Sequence, residues 1–467
     1  MTKQKNSMAI ILTLSLATLL GTMNMTIFNV AMPALMVYFQ TDVTTIQWLS
    51  SGFMLAAGVI TPTVGFLGAK LGYKRSLLAA TFCVLILAFV GMFSWCIEVL
   101  IVVRILFGLV AGTLMPLSMA MIYQTVPRQN QAQAAAIWGT ANMLGGAIPA
   151  VLSGLIITYG RWQYLLLIMV PLALLLLIST WRVLPDEQKQ DNMKLDLFGI
   201  SVTSLGSFVL LFAFSNLSAW GFSSKFALFT LVGLLCMAVY VKRSWGKDDV
   251  MLNLSVLKYP RYVAALLADA MNIIALYMMT FVMPLFLQNG LGLSAATTGL
   301  IMLPCVFFSA AAMPIATKVL NGKGEKALAI TGIVIIVIGS IPFFKMDITI
   351  PILLVLAGMC IRNFGIGFMN LLTTNTSMAA VPKELSGYAS SLTNWVRQMV
   401  GALVTSLSSN IVGFRIAMSH AQTQEAISSV YISSTSLLTI VSCVTFMLII
   451  PLAIKYFRGK DEMKNEV

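Results

Sequence analysis

Fourteen apolar stretches, each long enough to cross the roughly 30 Å hydrocarbon layer of a bilayer as a helix, follow one another along nearly the whole chain. They run over residues 8–31, 46–66, 76–95, 99–123, 134–158, 163–183, 197–217, 225–243, 262–288, 295–319, 327–345, 349–376, 387–413 and 430–456. No soluble fold hides that much apolar surface, since 59% of the 467 residues are hydrophobic, only 10% are charged and the mean hydropathy is +0.91. In hydrocarbon the backbone must satisfy its own hydrogen bonds within each segment. The expected fold class is therefore an all-α membrane protein with fourteen transmembrane helices. Met1 to Ser7 leads straight into the first stretch without a small-residue cleavage site, so that stretch reads as a retained span.

Charge gives the orientation. An even number of spans places both termini on one side, and the loops then divide the 29 Lys and Arg into 22 on that side, 4 opposite and 3 inside spans. The first group includes Lys70, Lys74, Arg75, Lys242, Arg243, Lys318, Lys323 and Lys326; the second is Arg161, Lys225, Lys345 and Arg415. Basic loops stay in the cytoplasm, so both termini are expected inside the cell, with the chain in the cytoplasmic (inner) membrane. The net charge of +13 is thereby explained by topology, with no nucleic-acid partner.

An internal echo sets the division of the chain. Val126-Pro127-Arg128, leading to Gly146-Ala147 and Leu152-Ser153, recurs as Val381-Pro382-Lys383, leading to Gly401-Ala402 and Leu407-Ser408, at a constant offset of 255. Repeated loop-and-helix units inside a membrane protein are the mark of a transporter built from two related halves. Spans four and five then correspond to spans twelve and thirteen, which leaves spans seven and eight as an insertion. The arrangement reads as 6 + 2 + 6, with a six-helix bundle over 1–190, the insertion over 191–250 and a second bundle over 251–467.

Several chemistries are excluded by what is missing. The six cysteines stand singly in apolar segments without ligand or redox spacing, and the one histidine, His420, lies in a polar loop. No phosphate-cradling Gly-x-x-x-x-Gly-Lys-Ser/Thr loop occurs. The chain reads as neither a metalloenzyme nor a nucleotide-driven pump, and it needs no cofactor. If it moves solutes uphill, an ion gradient or a partner's energy must drive the step.

Charges inside the bilayer are costly and mark function by default. Asp269 is the one acid well inside a span, about 12 Å from the cytoplasmic entry at 1.5 Å per residue. A carboxylate taken out of water can become able to bind and release a proton in the physiological range, which makes Asp269 the first candidate for proton coupling. The other reading is a fixed salt bridge to an embedded arginine. Glu98, at the outer rim between spans three and four, is the second acidic candidate, with a solvated rim residue as its alternative. Arg104, Arg362 and Arg397 are embedded, and each needs a carboxylate, carbonyls, water or an anionic ligand. Arg397 and Asn142 occupy matching positions of the echo, so one half presents a cation where the other presents an amide. Span five, from Trp138 to Pro149 with Gly145, Gly146 and later Gly154, is dense in small residues and bent by proline. That composition suits a close or sliding helix contact, expected at Gly146, although plain packing gives the same pattern.

These segments resemble the major facilitator superfamily, and within it the fourteen-span drug:proton antiporters, over essentially the whole chain. The resemblance rests on Met25-Thr26-Ile27-Phe28-Asn29-Val30-Ala31-Met32-Pro33 with Gln47-Trp48-Leu49, on the Gly65 to Arg75 loop with Gly72, Lys74 and Arg75, on Arg104 with Gly108 and Gly112, on Gly145 to Pro149, and on Asn394 with Arg397-Gln398. Arg161-Trp162 and Pro284 to Gln288 with Gly292 and Ser294 add to it. The family's acid two residues before Thr26 is Asn24 here, its loop Asp is Ala69, its Gln is Phe107 and its Gly before the proline is Ile148. The resemblance implies a monomer that exports amphipathic drugs or antiseptics through a central cavity, by alternating access driven by proton influx. It also implies that, with Asn24 uncharged, coupling rests on Asp269, with Asn24, Arg104, Arg362 and Arg397 toward the substrate path and Gly65, Gly72, Lys74 and Arg75 in a gating loop. Two rivals stay open: an exporter of an endogenous anionic or zwitterionic metabolite or lipid, and a non-transporting membrane receptor.

Overall fold

A computed structural model describes residues 2–28, 31–41, 43–46, 48–185, 196–245, 250, 252–293, 295–346, 349–419 and 424–459. Asn29, Val30, Gln47, Ser294, His420 and residues 186–194 of the longest polar stretch lie outside the described residues. The long elements are all helices, as a backbone surrounded by hydrocarbon requires. In chain order they are α1 (Thr2–Thr26), α2 (Trp48–Leu71), α3 (Tyr73–Met92), α4 (Ile97–Thr125), α5 (Arg128–Tyr159), α6 (Tyr164–Val183), α7 (Leu197–Trp220), α8 (Ser224–Ser244), α9 (Pro260–Leu285), α10 (Ala295–Ser340), α11 (Ile352–Ala379), α12 (Ser386–Met418) and α13 (Ser428–Tyr456).

Among the described residues, twelve stretches are long and apolar enough to cross a membrane, where the sequence suggests fourteen. Two expected spans fall together in the 47-residue stretch Thr297–Phe343. There α10 turns at Gly324, whose φ of 86° lies outside any right-handed helix. A third, at α7, counts only as the shorter apolar helix Phe198–Phe214. Gly72, with φ of 89°, makes the equivalent turn between α2 and α3. Glycine suits both joints because a side chain is strained at a positive φ of this size, whatever space surrounds it.

The helices form two compact units. One comprises Met1–Phe212, Leu231–Lys258 and Val381–Trp395. In it α1 packs on α4 and α5, and α2 on α4. Gly108 and Gly112 face α2 so closely that a Cβ on Gly112 would stand 2.8 Å from the Ala57 Cα. Small residues four apart thus let two backbones meet where lipid supplies no hydrophobic drive. The start of α7 and the end of α8 are tied together by polar contacts. Asp196 accepts from the Gly199 backbone at 2.9 Å and pairs with Arg243 at 3.2 Å, while the Tyr240 hydroxyl donates to the Leu252 carbonyl at 3.0 Å. The Val381–Trp395 segment joins the same unit through three bonds. Ser390 Oγ donates to the Pro116 carbonyl (2.9 Å), Gly65 N–H donates to Ser391 Oγ (2.8 Å) and Trp395 Nε1 donates to Ser207 Oγ (2.8 Å).

The other unit comprises Ala213–Thr230, Tyr259–Ala380 and Val396–Val467. Here α11 packs along α10, and α9 packs on α11 and α13. A Cβ on Gly365 would lie 2.9 Å from the Gly332 carbonyl, and one on Gly367 would lie 2.7 Å from the Ala312 Cβ. The core gathers Met278, Met279, Met283, Phe286, Phe343 and Met359 around Cys305 and Cys360, whose sulfurs approach to 3.8 Å. Those two cysteines are 55 positions apart, so no sequence spacing announces them. At one end, buried Glu325 binds the Arg261 guanidinium and accepts from the Arg458 backbone N–H at 3.0 Å.

Candidate functional site

Proline at its first turn starts α9 at Pro260, because the missing N–H would be unpartnered there anyway. Nine positions further on, a polar face appears at helical spacing: Asp269, Asn272, the carbonyl of Ala275 and the sulfur of Met279. Each has a partner across a helix contact. Asn272 Nδ2 donates to Asn370 Oδ1 of α11 at 2.8 Å, the Ala275 carbonyl accepts from Arg362 at 2.9 Å, and Met279 Sδ accepts from Thr439 of α13 at 3.2 Å.

Asp269 is the centre of this face. Its carboxylate is fully buried and receives Arg397 of α12 in a two-pronged pair, Nε to Oδ2 at 2.6 Å and Nη2 to Oδ1 at 2.8 Å. Thr373 Oγ1 of α11 donates to Oδ1 at 2.7 Å, and Arg397 Nη2 also donates to Thr374 Oγ1 at 3.1 Å. A bidentate guanidinium–carboxylate pair with its remaining lone pairs satisfied is the arrangement that makes buried charge tolerable; either ion alone would cost several kcal/mol. The pair is asymmetric toward solvent: the Arg397 side chain is 14% exposed and that of Asp269 0%.

The other embedded arginines are arranged differently. Arg104 is fully buried; its Nη1 donates to the Asn24 carbonyl of α1 at 2.9 Å and its Nε to the Leu49 carbonyl of α2 at 3.1 Å. The rings of Phe28 and Phe53 lie on it, with centroids at 4.5 and 4.4 Å. Charge-assisted bonds of about 1.5–3 kcal/mol each and ring contacts of about 1–2 kcal/mol together offset a desolvation of several kcal/mol. Arg362 spans α9 and α13 in the same fashion, through Ala275 and through Ser442 Oγ at 2.8 Å. In each unit an arginine is thus clamped to a backbone carbonyl of a neighbouring helix. Asn24 is buried, and its side-chain amide turns back to the Leu20 carbonyl at 3.1 Å.

Among the predicted site residues, then, Asp269 and Arg397 are brought together, while Arg104, Asn24 and Arg362 belong to separate clamps. Glu98 is exposed in the first turn of α4, in the unit that does not contain Asp269. In span five the close contact is at Gly145, where a Cβ would lie 2.9 Å from the Leu19 carbonyl and whose own carbonyl accepts from Thr26 at 3.3 Å. Gly146, expected to make that contact, and Gly154 both have open space within 4 Å, and Pro149 is buried. Asn142 Oδ1 accepts from Thr22 of α1 at 2.9 Å, so the two echo positions each bond to a neighbouring helix of their own unit. In the loop, a Cβ on Gly65 would collide with the Gly387 backbone at 2.8 Å; Lys74 is half-buried and Arg75 exposed. Thr373, Thr374, Asn272 and Asn370 escaped the sequence reading, although a polar run from Asn370 to Ser377 inside an apolar span signals them.

The sequence profile of the Major Facilitator Superfamily matches residues 14–405. An uncharacterized transporter of that type from Bacillus subtilis, YhcA, is 28% identical over 90% of this chain and 79% of its own. The lincomycin resistance protein LmrB of Listeria monocytogenes is 23% identical over 86% of each. The human organic anion transporter MFSD10 shares the fold with a TM-score of 0.68, at 12% identity, over 96% of this chain and 99% of its own. With its profile matched over most of its length and its helices in the same fold, the chain belongs to the major facilitator superfamily, a family of membrane transporters.

Proposed function

We propose that this protein exports amphipathic small molecules across the cytoplasmic membrane in exchange for protons, with Asp269 as the proton carrier and Arg397 as its counter-charge. The observation that carries the reading is the buried Asp269–Arg397 pair with Thr373 on its carboxylate. Relatives named as resistance proteins and efflux pumps, such as LmrB and the LfrA pump of Mycolicibacterium smegmatis, support the direction of transport. The bias of basic residues supports termini on the cytoplasmic side.

The pair supplies a rule for exchange. With Asp269 ionised the pair is neutral; with Asp269 protonated, Arg397 is left as a net positive charge. A cationic amphiphile is tolerated by the first state and repelled by the second. Substrate and proton then exclude each other, which is the condition for antiport. Alternating exposure of the site to the two membrane faces converts that exclusion into uphill export.

The test is Asp269→Asn, which keeps the shape and removes the titratable proton. In proteoliposomes with an imposed pH gradient, the variant is expected to stay folded, to lose uphill ethidium transport by at least about a hundredfold and to bind ethidium more weakly, because Arg397 keeps its net charge. Undiminished uphill transport would overturn the assignment.

A further inference from the structure

The asymmetry of the pair has a second consequence. Asp269 has both oxygens occupied and no exposure, whereas the Arg397 side chain is the partly accessible member. A ligand arriving at the site meets the guanidinium, not the carboxylate. We infer that Arg397 is a binding site for the anionic group of an organic anion, such as a sulfonate or carboxylate, and that this anion binds together with a proton on Asp269.

The inference rests on the coupling reading of Asp269, and it follows from charge conservation at the site. Protonation turns the neutral pair into a neutral acid beside a free guanidinium, with Thr374 Oγ1 as the remaining acceptor on Nη2. A guanidinium in a low-dielectric site without a counter-ion is costly. An anion that can present two oxygens to one guanidinium, as a carboxylate or a sulfonate does, then replaces the lost counter-charge with a two-pronged fit of the same kind. By linkage, the proton raises affinity for the anion by the factor by which the anion raises affinity for the proton.

The surroundings leave this exchange to the two residues. On α9 the other titratable groups in electrostatic reach of Arg397 are Tyr262 and Tyr277, and tyrosines do not ordinarily titrate between pH 5 and 8. The charge on α11 is Arg362, engaged with Ala275 and Ser442. On α13, which also packs on α9, residues 428–454 contain no Asp, Glu, Lys, Arg or His. The facing groups from α11, Thr373 and Thr374, carry no charge.

Organic anions and cations therefore have opposite relations to the proton at one site. Cations displace it and are exported; anions hold it and lock the protonated state, so amphipathic anions inhibit proton-driven export, and do so more strongly in acid.

The probe is naphthalene-2-sulfonate, which stays ionised throughout, so any pH dependence belongs to the protein. Calorimetry on the purified full chain in nanodiscs is expected to show binding about tenfold tighter or more at about pH 5.5 than at about pH 8. Buffers of different ionisation enthalpy should report uptake of about one proton per anion bound. Asp269→Asn, with Arg397 released at every pH, should bind the sulfonate equally at both. Arg397→Gln should lose the binding at both, with an unchanged helical circular dichroism spectrum and a monodisperse elution profile as its folding control. Equal affinity of the unmodified protein at the two pH values, or sulfonate binding that survives in Arg397→Gln, overturns the inference. If Asp269→Asn cannot be purified, the unmodified protein and Arg397→Gln decide. The coupling reading fails on a different measurement, uphill ethidium transport by Asp269→Asn, so the two failures are distinguishable.

Discussion

At Asp269 three donors converge on two oxygens from two other helices, and the acid and its cation are 128 positions apart. That contact separates the embedded arginines by role. Arg397 meets a group that can lose its charge, whereas Arg104 and Arg362 meet carbonyls, a hydroxyl and rings that cannot. Neutralising Arg397 should therefore act on the chemistry and neutralising Arg362 on the packing. In Arg397→Gln the pH dependence of transport is expected to move by about one unit or more, since the carboxylate loses the cation that balances it. In Arg362→Gln the profile should stay in place while thermal stability falls by about 2–4 kcal/mol, the range for breaking a buried charge network. A matched pair of pH–rate curves and melting curves checks both, and an unmoved profile in Arg397→Gln would count against its place beside the proton carrier.

Helix contacts in this chain are decided by which glycine faces a neighbour, and composition does not reveal that. Span five is rich in small residues throughout, yet a Cβ on Gly145 would run into α1, whereas one on adjacent Gly146 would meet nothing within 4 Å. One residue along a helix is a rotation of about 100°, enough to exchange a backbone contact for open space. The pair forms its own control, because both positions lie in one helix and gain the same propensity from alanine. Gly145→Ala is expected to lower thermal stability by about 1–3 kcal/mol through overpacking against Leu19 and Thr22, with Gly146→Ala within about 0.5 kcal/mol of the unmodified protein. Equal melting temperatures for the two would show that the α1–α5 contact is not as close as described.

At the scale of the whole chain, orientation is the property with the widest reach, since it decides from which side the proton arrives. On the proposed topology, which is supported by the excess of Lys and Arg on alternate loops, Lys323 lies inside and Phe222 outside the cell; both side chains are exposed. In a variant lacking native cysteines, Phe222→Cys should react with a membrane-impermeant maleimide added to intact cells, and Lys323→Cys only after the cells are opened. Reversed labelling would invert the topology and with it the direction of the proposed exchange.

Hydropathy and the family motifs were enough to indicate an all-helical membrane transporter, because a long apolar run is a property of local composition that the bilayer reads directly. The candidates Asp269 and Arg397 were legible for the same reason: a charge in an apolar run stands out without knowledge of its neighbours. Their union was not, nor was the clamp of Arg104 on Asn24 and Leu49, nor the meeting of Cys305 with Cys360. Those depend on the rotation and crossing of helices distant in sequence, which are set by side-chain packing along entire contact faces. The break at Gly324 was legible in the sequence as the gap between two apolar stretches, and the folded chain added only that this glycine, at φ 86°, makes the turn.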